Sequence, residues 1–309
     1  MKSLRLETTA PFQGLPELVA DREGLFAARD IAIEWIERDG GTDKAVNVGV
    51  NVPKGLNPFH SHGSMLERGL ADMYNACELG NYCRVQDSRS GSRQLGRRAI
   101  MVFGAIVVRG DSKVVIPQQL AGKNIGVPFY FGSHYMALQL LEGFVPRELI
   151  RLCDAPNGSK GRYDALMAGE VDATTLTEPY VTLAEQNGCK VICSAFYPGT
   201  EVASGALDAP TYAKFNEAVR EAVRRINENP AAYMHYFIDY HAAGDPRIAA
   251  LRPEDLRPSR LLVTDPAPIP AEELERSAAW LKSWGMLEET DSPLELVNLE
   301  IASQAHAAE

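Results

Sequence analysis

Two stretches of this chain, GLADMYNACELG from Gly69 and GEVDATTLTEPY from Gly169, share one punctuation. Each reads Gly, two residues, Asp, and then a glutamate, so that Gly69, Asp72 and Glu78 match Gly169, Asp172 and Glu178 without a gap. Each phrase closes a helix-like run and opens a β-rich one. The Gly is read as ending a helix at positive φ, and the Asp as satisfying backbone groups at the turn. The surrounding grammar alternates in the same way. LRLETTA is strand-like, LPELVADREGLFAARD carries apolar residues at helical spacing, and IAIEWIERD alternates Ile31, Ile33 and Trp35 before Gly40-Gly41. Strand and helix in alternation imply parallel sheets with crossover helices.

The same grammar restarts after AIMVFGAIVVRG (99–110), a β-rich run suited to crossing from one lobe to another, and KVICSAFY (190–197) reads as the strand that returns. We therefore expect an α/β chain of two lobes, each a mixed sheet flanked by helices with a ligand cleft between them. Residues 1–105 plus 195–309 form lobe 1 with the C-terminal helices, and residues 106–194 form lobe 2. Helices dominate from Ala209 onward: YAKFNEAVREAVRRINEN stops at Pro230, and PAEELERSAAWLKSWGML closes near Gly285.

Bulk properties narrow the function classes. The 309 residues are 45% hydrophobic and 23% charged, enough apolar material for a core in one large or two medium domains. A net charge of −10 disfavours nucleic acid as a partner. No stretch approaches the roughly 20 apolar residues of a membrane span, so direct membrane insertion is not expected. MKSLRLETTAPF lacks an apolar signal core, which places the chain in the cytoplasm as it stands, or in the periplasm if a leader has been removed. The cysteines Cys77, Cys83, Cys153, Cys189 and Cys193 are odd in number and are read as free thiols, with Cys189 and Cys193 a buried pair.

The phrases LPELVADREGLFAARDIAIEWI, LAGKNIGVPFYFGSHYMALQLLE and DALMAGEVDATTLTEPYVTLAEQNGCKVI, in that order, resemble the type II solute-binding-protein fold, in its branch for nitrate, sulfonate, taurine and thiamine-pyrimidine precursors. The resemblance spans about residues 4–240 and implies hinge closure of two lobes on a ligand. Most members feed ABC importers, which implies a permease as a possible partner. The fold also carries cytoplasmic enzymes, among them thiamine-pyrimidine synthases and dihydroxyphthalate decarboxylases; the cysteine-rich CCCFC-type motif of the former is missing here.

Candidate ligand-binding residues follow from these placements. Gly132, Ser133 and His134 open a helix after IGVPFYF, where free N–H groups and the positive end of the dipole seat an anion; alternatively Ser133 simply caps the helix. Phe12, Gln13, Tyr130 and Phe131 lie in loops after strands and would stack on a flat ligand or cover the lobe core. Tyr180 follows Pro179 in the turn that resembles the family's ligand side. Glu78 and Glu178 lie past the strand ends, where open parallel sheets bind ligands, and are expected on opposite cleft walls or in surface ion pairs. His60 and His62 are the best-placed general bases and, with a glutamate, a possible divalent-metal pair, although no cofactor is favoured; a plain loop is the alternative. The run CRVQDSRSGSRQLGRR, with Arg84, Arg89, Arg93, Arg97 and Arg98, is read as a solvated loop, or else an anion-facing patch. Asn157-Gly158-Ser159 matches only a glycosylation sequon.

Two functions compete. In the first, the chain captures a small polar, planar solute for an ABC-type uptake system. In the second, it is a cytoplasmic lyase or decarboxylase of a small aromatic or heteroaromatic acid, with His60, His62 and Glu78 as its catalytic residues and Glu178 beside them.

Overall fold

The computed structural model describes residues 1–38, 59, 62–287 and 292–306, so His60 lies outside the described residues. Along the chain come β1 (Lys2–Glu7), α1 (Pro11–Arg22), β2 (Ile31–Ile36), α2 (Ser64–Glu67), β3 (Met73–Cys77), α3 (Glu78–Gln86) and β4 (Arg93–Arg97). Then follow β5 (Ile100–Val108), β6 (Asn124–Val127), α4 (Gly132–Glu142), β7 (Arg151–Asp154), α5 (Ser159–Ala168), β8 (Ala173–Thr177), α6 (Tyr180–Gln186) and β9 (Lys190–Tyr197). The chain closes with β10 (Gly199–Ala203), α7 (Ala209–Glu228), α8 (His235–Ala242), α9 (Pro246–Ala249), β11 (Leu262–Val263), α10 (Ala271–Ser283) and α11 (Leu299–His306).

Two mixed sheets result. The first runs β2-β1-β3-β10-β4, with β10 antiparallel to both neighbours. The second runs β11-β5-β8-β6-β7, with β9 paired along the other edge of β5. The chain passes from the first sheet to the second between Arg97 and Ile100, and returns between Tyr197 and Gly199. The expected lobe boundaries at 105/106 and 194/195 fall inside β5 and β9. The two strands pair from Val102–Tyr197 to Val108–Lys190, so both belong to the second sheet over that length. At the crossings the Arg98 N–H donates to the Gly199 carbonyl at 3.0 Å.

The repeated phrase does the same job in each lobe. Gly69 and Gly169 both sit at positive φ, 72° and 78°, where a side chain would strain the backbone. Asp72 accepts the Arg5 N–H at 2.9 Å, and Asp172 accepts the Asn124 N–H at 2.9 Å. Each aspartate thereby pins the start of its own strand to the parallel strand beside it.

Helix α7 shows how the sequence pattern becomes packing. Asp208 caps it by accepting the Thr211 N–H at 2.8 Å. Its buried side carries Tyr212, Phe215, Val219, Val223 and Ile226 at helical spacing, and Phe215 stacks on Phe26 at 5.1 Å. The expected solvated arginine loop is instead structural. Residues 93–97 form β4, and Arg84 and Arg98 are almost wholly buried. The pattern misleads because the burial of Arg84, which donates to the Tyr130 carbonyl, and of Arg98, packed against Gly199, depends on residues far away in the sequence.

The C-terminal segment joins the two sheets. Arg260 donates to Glu178 and Glu185, both at 2.8 Å. The indole N–H groups of Trp280 and Trp284 donate to Glu142 at 2.5 and 3.2 Å, and Arg247 donates to Asp164 at 2.7 Å.

Candidate functional site

A cavity of about 180 Å³ opens where elements of the two sheets face each other. Two helices start on it. Phe131 and Gly158, the residues preceding α4 and α5, line the cavity, and neither caps its helix with a side chain; Ala10 also lines it, but α1 opens on Pro11 and kinks at Gly14. The first N–H groups of a helix have no intrahelical partner, and the dipole makes that end positive. Two such ends converging on one space favour an anion.

Two arginines strengthen that bias. Arg162, on α5, is 2% exposed and lines the cavity. Its Nε donates to the Thr175 carbonyl at 2.7 Å, Nη1 to the Pro156 carbonyl at 2.9 Å and to the Asn157 carbonyl, and Nη2 to Ser159 Oγ at 3.0 Å. Among the described residues it has no carboxylate partner, and burial pulls its pKa down to about 10. Arg38 follows β2. Its Nη1 lies 3.1 Å from His62 Nε2, Nη2 donates to the Asn75 carbonyl at 3.4 Å, and Nε lies 3.6 Å from Glu7. Glu7 already accepts the N–H groups of Gly63, Met65 and Leu66 at the start of α2, so its charge is shared among several donors.

The remaining walls are neutral. His62 is buried beside Arg38, with Gln13 Oε1 at 3.3 Å; desolvation, and then the charges of Arg38, Arg84 and Arg98, hold its pKa well below the ordinary value. His241, on α8, is lowered to about 4 by burial. Both imidazoles are therefore uncharged near neutral pH. Tyr197, at the end of β9, presses against Gly132. A Cβ at Gly132 would lie 2.3 Å from the tyrosine ring, so glycine is required there. Ser133, Phe12, Phe131, Thr177 and Tyr240 complete the polar and aromatic lining. Among the described lining residues there is no carboxylate and no cysteine.

The cavity thus gathers Phe12, Gln13, His62, Phe131, Gly132 and Ser133 from the candidates. Other candidates lie elsewhere. Glu78 is 2% exposed and ion-paired with Arg97 at 3.0 Å, while Glu178 is 3% exposed and bound by Arg260. Neither lines the cavity; of the two readings, a place on the cleft walls or an ion pair, both glutamates are found paired with arginines. Each is the first charged residue past a strand end, and in each case an arginine from another element pairs with it. Tyr130 turns its backbone inward, its carbonyl accepting Arg84 Nη2 at 3.0 Å, at a positive φ of 67°. Its N–H donates to His134 Nδ1 at 3.3 Å, so His134 props the loop from behind; burial drops that imidazole to about 3. Tyr180 is buried with its hydroxyl on Asp245 at 3.1 Å, one layer behind His241, against which its ring packs at 5.3 Å.

Ala10, Arg38, Pro128, Asn157, Gly158, Ser159, Arg162, Thr177, Tyr197, Tyr240 and His241 complete the described lining without having been expected. The signal for the α5 group was the Gly-Ser after β7, which repeats the Gly-Ser that opens α4. Among the described residues no three His, Cys, Asp or Glu side chains are grouped to hold a metal ion; a pair of His60 with His62 lies outside what is described.

No protein-family model matches the chain, and no curated protein does. Solved structures do. The alkanesulfonate-binding protein SsuA of Xanthomonas axonopodis pv. citri, solved with MOPS bound, is similar at a TM-score of 0.69 and 15% identity, covering 93% of this chain and 94% of that one. A Candida albicans protein described as defining a new family with the generic periplasmic-binding-protein fold is similar at 0.66 and 16%, covering 99% and 96%. The desulfurization enzyme DSZB is similar at 0.62 and 15%, covering 99% of each chain. The likeness extends over nearly the whole chain and shows a type II solute-binding-protein fold, α/β with two lobes.

Proposed function

We propose that this chain binds a small organic anion, of the sulfonate or carboxylate class, in the cleft between its lobes, as the solute-capturing component of an ABC-type uptake system. The observation that carries this reading is the convergence of two uncapped helix starts, those of α4 and α5, with Arg38 and Arg162 on a cavity that has no carboxylate among its described lining residues. That environment repels no anion and offers donors on every side. It disfavours an amine or aminopyrimidine, which needs an acceptor. The aromatic rings of Phe12, Phe131 and Tyr197 suit an apolar or planar body attached to the acid group. The name of the SsuA neighbour, an alkanesulfonate-binding protein, supports the same chemistry. Among the described residues no helix is long and apolar enough to cross a membrane.

The similarity to an enzyme, DSZB, raises a catalytic reading on the same frame. Against it, His62 is the only described member of the expected catalytic set that lines the cavity, and Arg38 beside it opposes taking up a proton. A carboxylate or thiol to act with it is missing from the described lining. Native mass spectrometry of the purified protein, followed by calorimetric titration with alkanesulfonates and aromatic carboxylates, tests the proposal. A bound anion released unchanged is the expected result. Conversion of a carboxylate by the protein, or binding confined to cations, would overturn it.

A further inference from the structure

Charge and exposure are unevenly placed on the cavity wall. Arg162 lacks a carboxylate partner among the described residues, whereas Arg38 stands 3.6 Å from the buried carboxylate of Glu7. The lining around Arg162 is deep and polar. Its Nη2 donates to Ser159 Oγ at 3.0 Å, that oxygen lies 3.0 Å from Thr177 Oγ1, and all three residues are almost wholly buried. Nη2 carries two N–H groups and gives one to Ser159, so a second donor is left over among the described residues. One acid group at this place compensates the charge that Arg162 carries into the interior.

Tyr240 is the contrary case. It lines the same cavity yet is 53% exposed, so it stands where the cavity opens to solvent. A large ring left in water there is apolar surface that a ligand can cover. The helix that carries it is firmly seated. Phe237 and Ile238 of α8 are buried, and His241, which also lines the cavity, packs on Tyr180 of α6 at 5.3 Å. The Tyr180 hydroxyl donates to Asp245 at 3.1 Å, and Arg247 donates both to Asp245 at 2.6 Å and to Asp164 of α5 at 2.7 Å. A ring on so fixed a backbone loses little freedom when a ligand meets it.

We propose that Tyr240 selects the body of the ligand: the acid group lies inward on Arg162 and the start of α5, and an aromatic body reaches outward to stack on the Tyr240 ring. This rests on the anion-binding reading and narrows its ligand class to aromatic acids. The test is calorimetric titration of the full chain with two matched pairs, methanesulfonate against benzenesulfonate and acetate against benzoate. The aromatic member of a pair should bind at least about tenfold more tightly. Tyr240→Ala should cut that preference about fivefold, the scale of one aromatic contact, and Tyr240→Phe should keep it. A preference that Y240A leaves intact overturns the proposal, as does one that Y240F loses as fully as Y240A. Because the native preference and Y240F can each overturn it, misfolding of Y240A leaves the test intact. A native protein that binds both members of a pair equally well rejects the aromatic ligand and keeps the anion site, whereas one that binds no sulfonate or carboxylate rejects both.

Discussion

Glu178 shows how far a single residue can be read. Its place beyond a strand end was legible, but the arginine that claims it stands 82 residues away, and no local pattern announces that meeting. With Arg260 as its partner at 2.8 Å and both side chains largely buried, the glutamate holds the fold together. Glu178→Gln should therefore leave ligand affinity unchanged and lower unfolding free energy by about 1–3 kcal/mol, measured by urea titration. A tenfold loss of affinity at unchanged stability would return it to the site. Gly132 behaves in the opposite way. Its position was legible from the strand-to-helix turn after IGVPFYF, and the structure adds a reason for glycine, the Tyr197 ring against its Cα. Gly132→Ala should displace that ring into the cavity and weaken anion binding more than tenfold, as titration calorimetry would show; unaltered affinity would mean that the ring moves elsewhere. Arg162 was illegible because nothing in GSKGR distinguishes a buried arginine from a solvated one; only the fold of α5 against β8 does that.

Elements were the most legible level, since period and punctuation are local. The β9 strand, the β5 run and α7 all fall where alternation and helical spacing put them, while the points where the chain passes between the sheets were not legible because β5 and β9 look uniform along their length. One property emerges only when elements meet. Glu17 of α1 and Glu201 of β10 are buried together with Arg98, Asn75 of β3 and Tyr212 of α7. Tyr212 donates to Glu201 at 2.6 Å and Asn75 to Glu17 at 3.4 Å, leaving one oxygen of each carboxyl unpartnered among the described residues. Burial pushes Glu17 up to about 7 and Glu201 up to about 8, from an ordinary 4.5, and the charge of Glu17 adds to the shift of Glu201. Raised folded-state values mean that the native protein holds these protons more tightly than the unfolded chain. Their contribution to stability is complete below 4.5 and is lost as pH rises through 7 to 8. Melting temperature should fall between about pH 5 and about pH 9, and Glu201→Gln should flatten that slope. A slope of the opposite sign, or one the variant leaves unaltered, would show that these carboxyls ionise freely.

At the scale of the molecule, the two-lobed architecture was legible because the same grammar occurs twice, whereas the ties between the lobes were not. They come from the C-terminal segment, through Arg260, Trp280, Trp284 and Arg247, and each spans a separation in sequence that periodicity cannot see. With such links on several faces, the lobes should melt together. Differential scanning calorimetry should show one transition; a resolved peak below the main one would show that the second lobe unfolds by itself.

The hydrogen bond between Arg98 and Gly199 gives the chain a further property. Everything from Ile100 to Tyr197 leaves and re-enters the first lobe through neighbouring doorways, so this stretch is a cassette whose two ends meet. A cassette of that kind can be exchanged for its counterpart from a relative with two splice points to join and the contacts of Arg247, Arg260, Trp280 and Trp284 to match. Swapping it would give hybrids in which each half of the cleft comes from a different parent, a direct route to recombining ligand preferences.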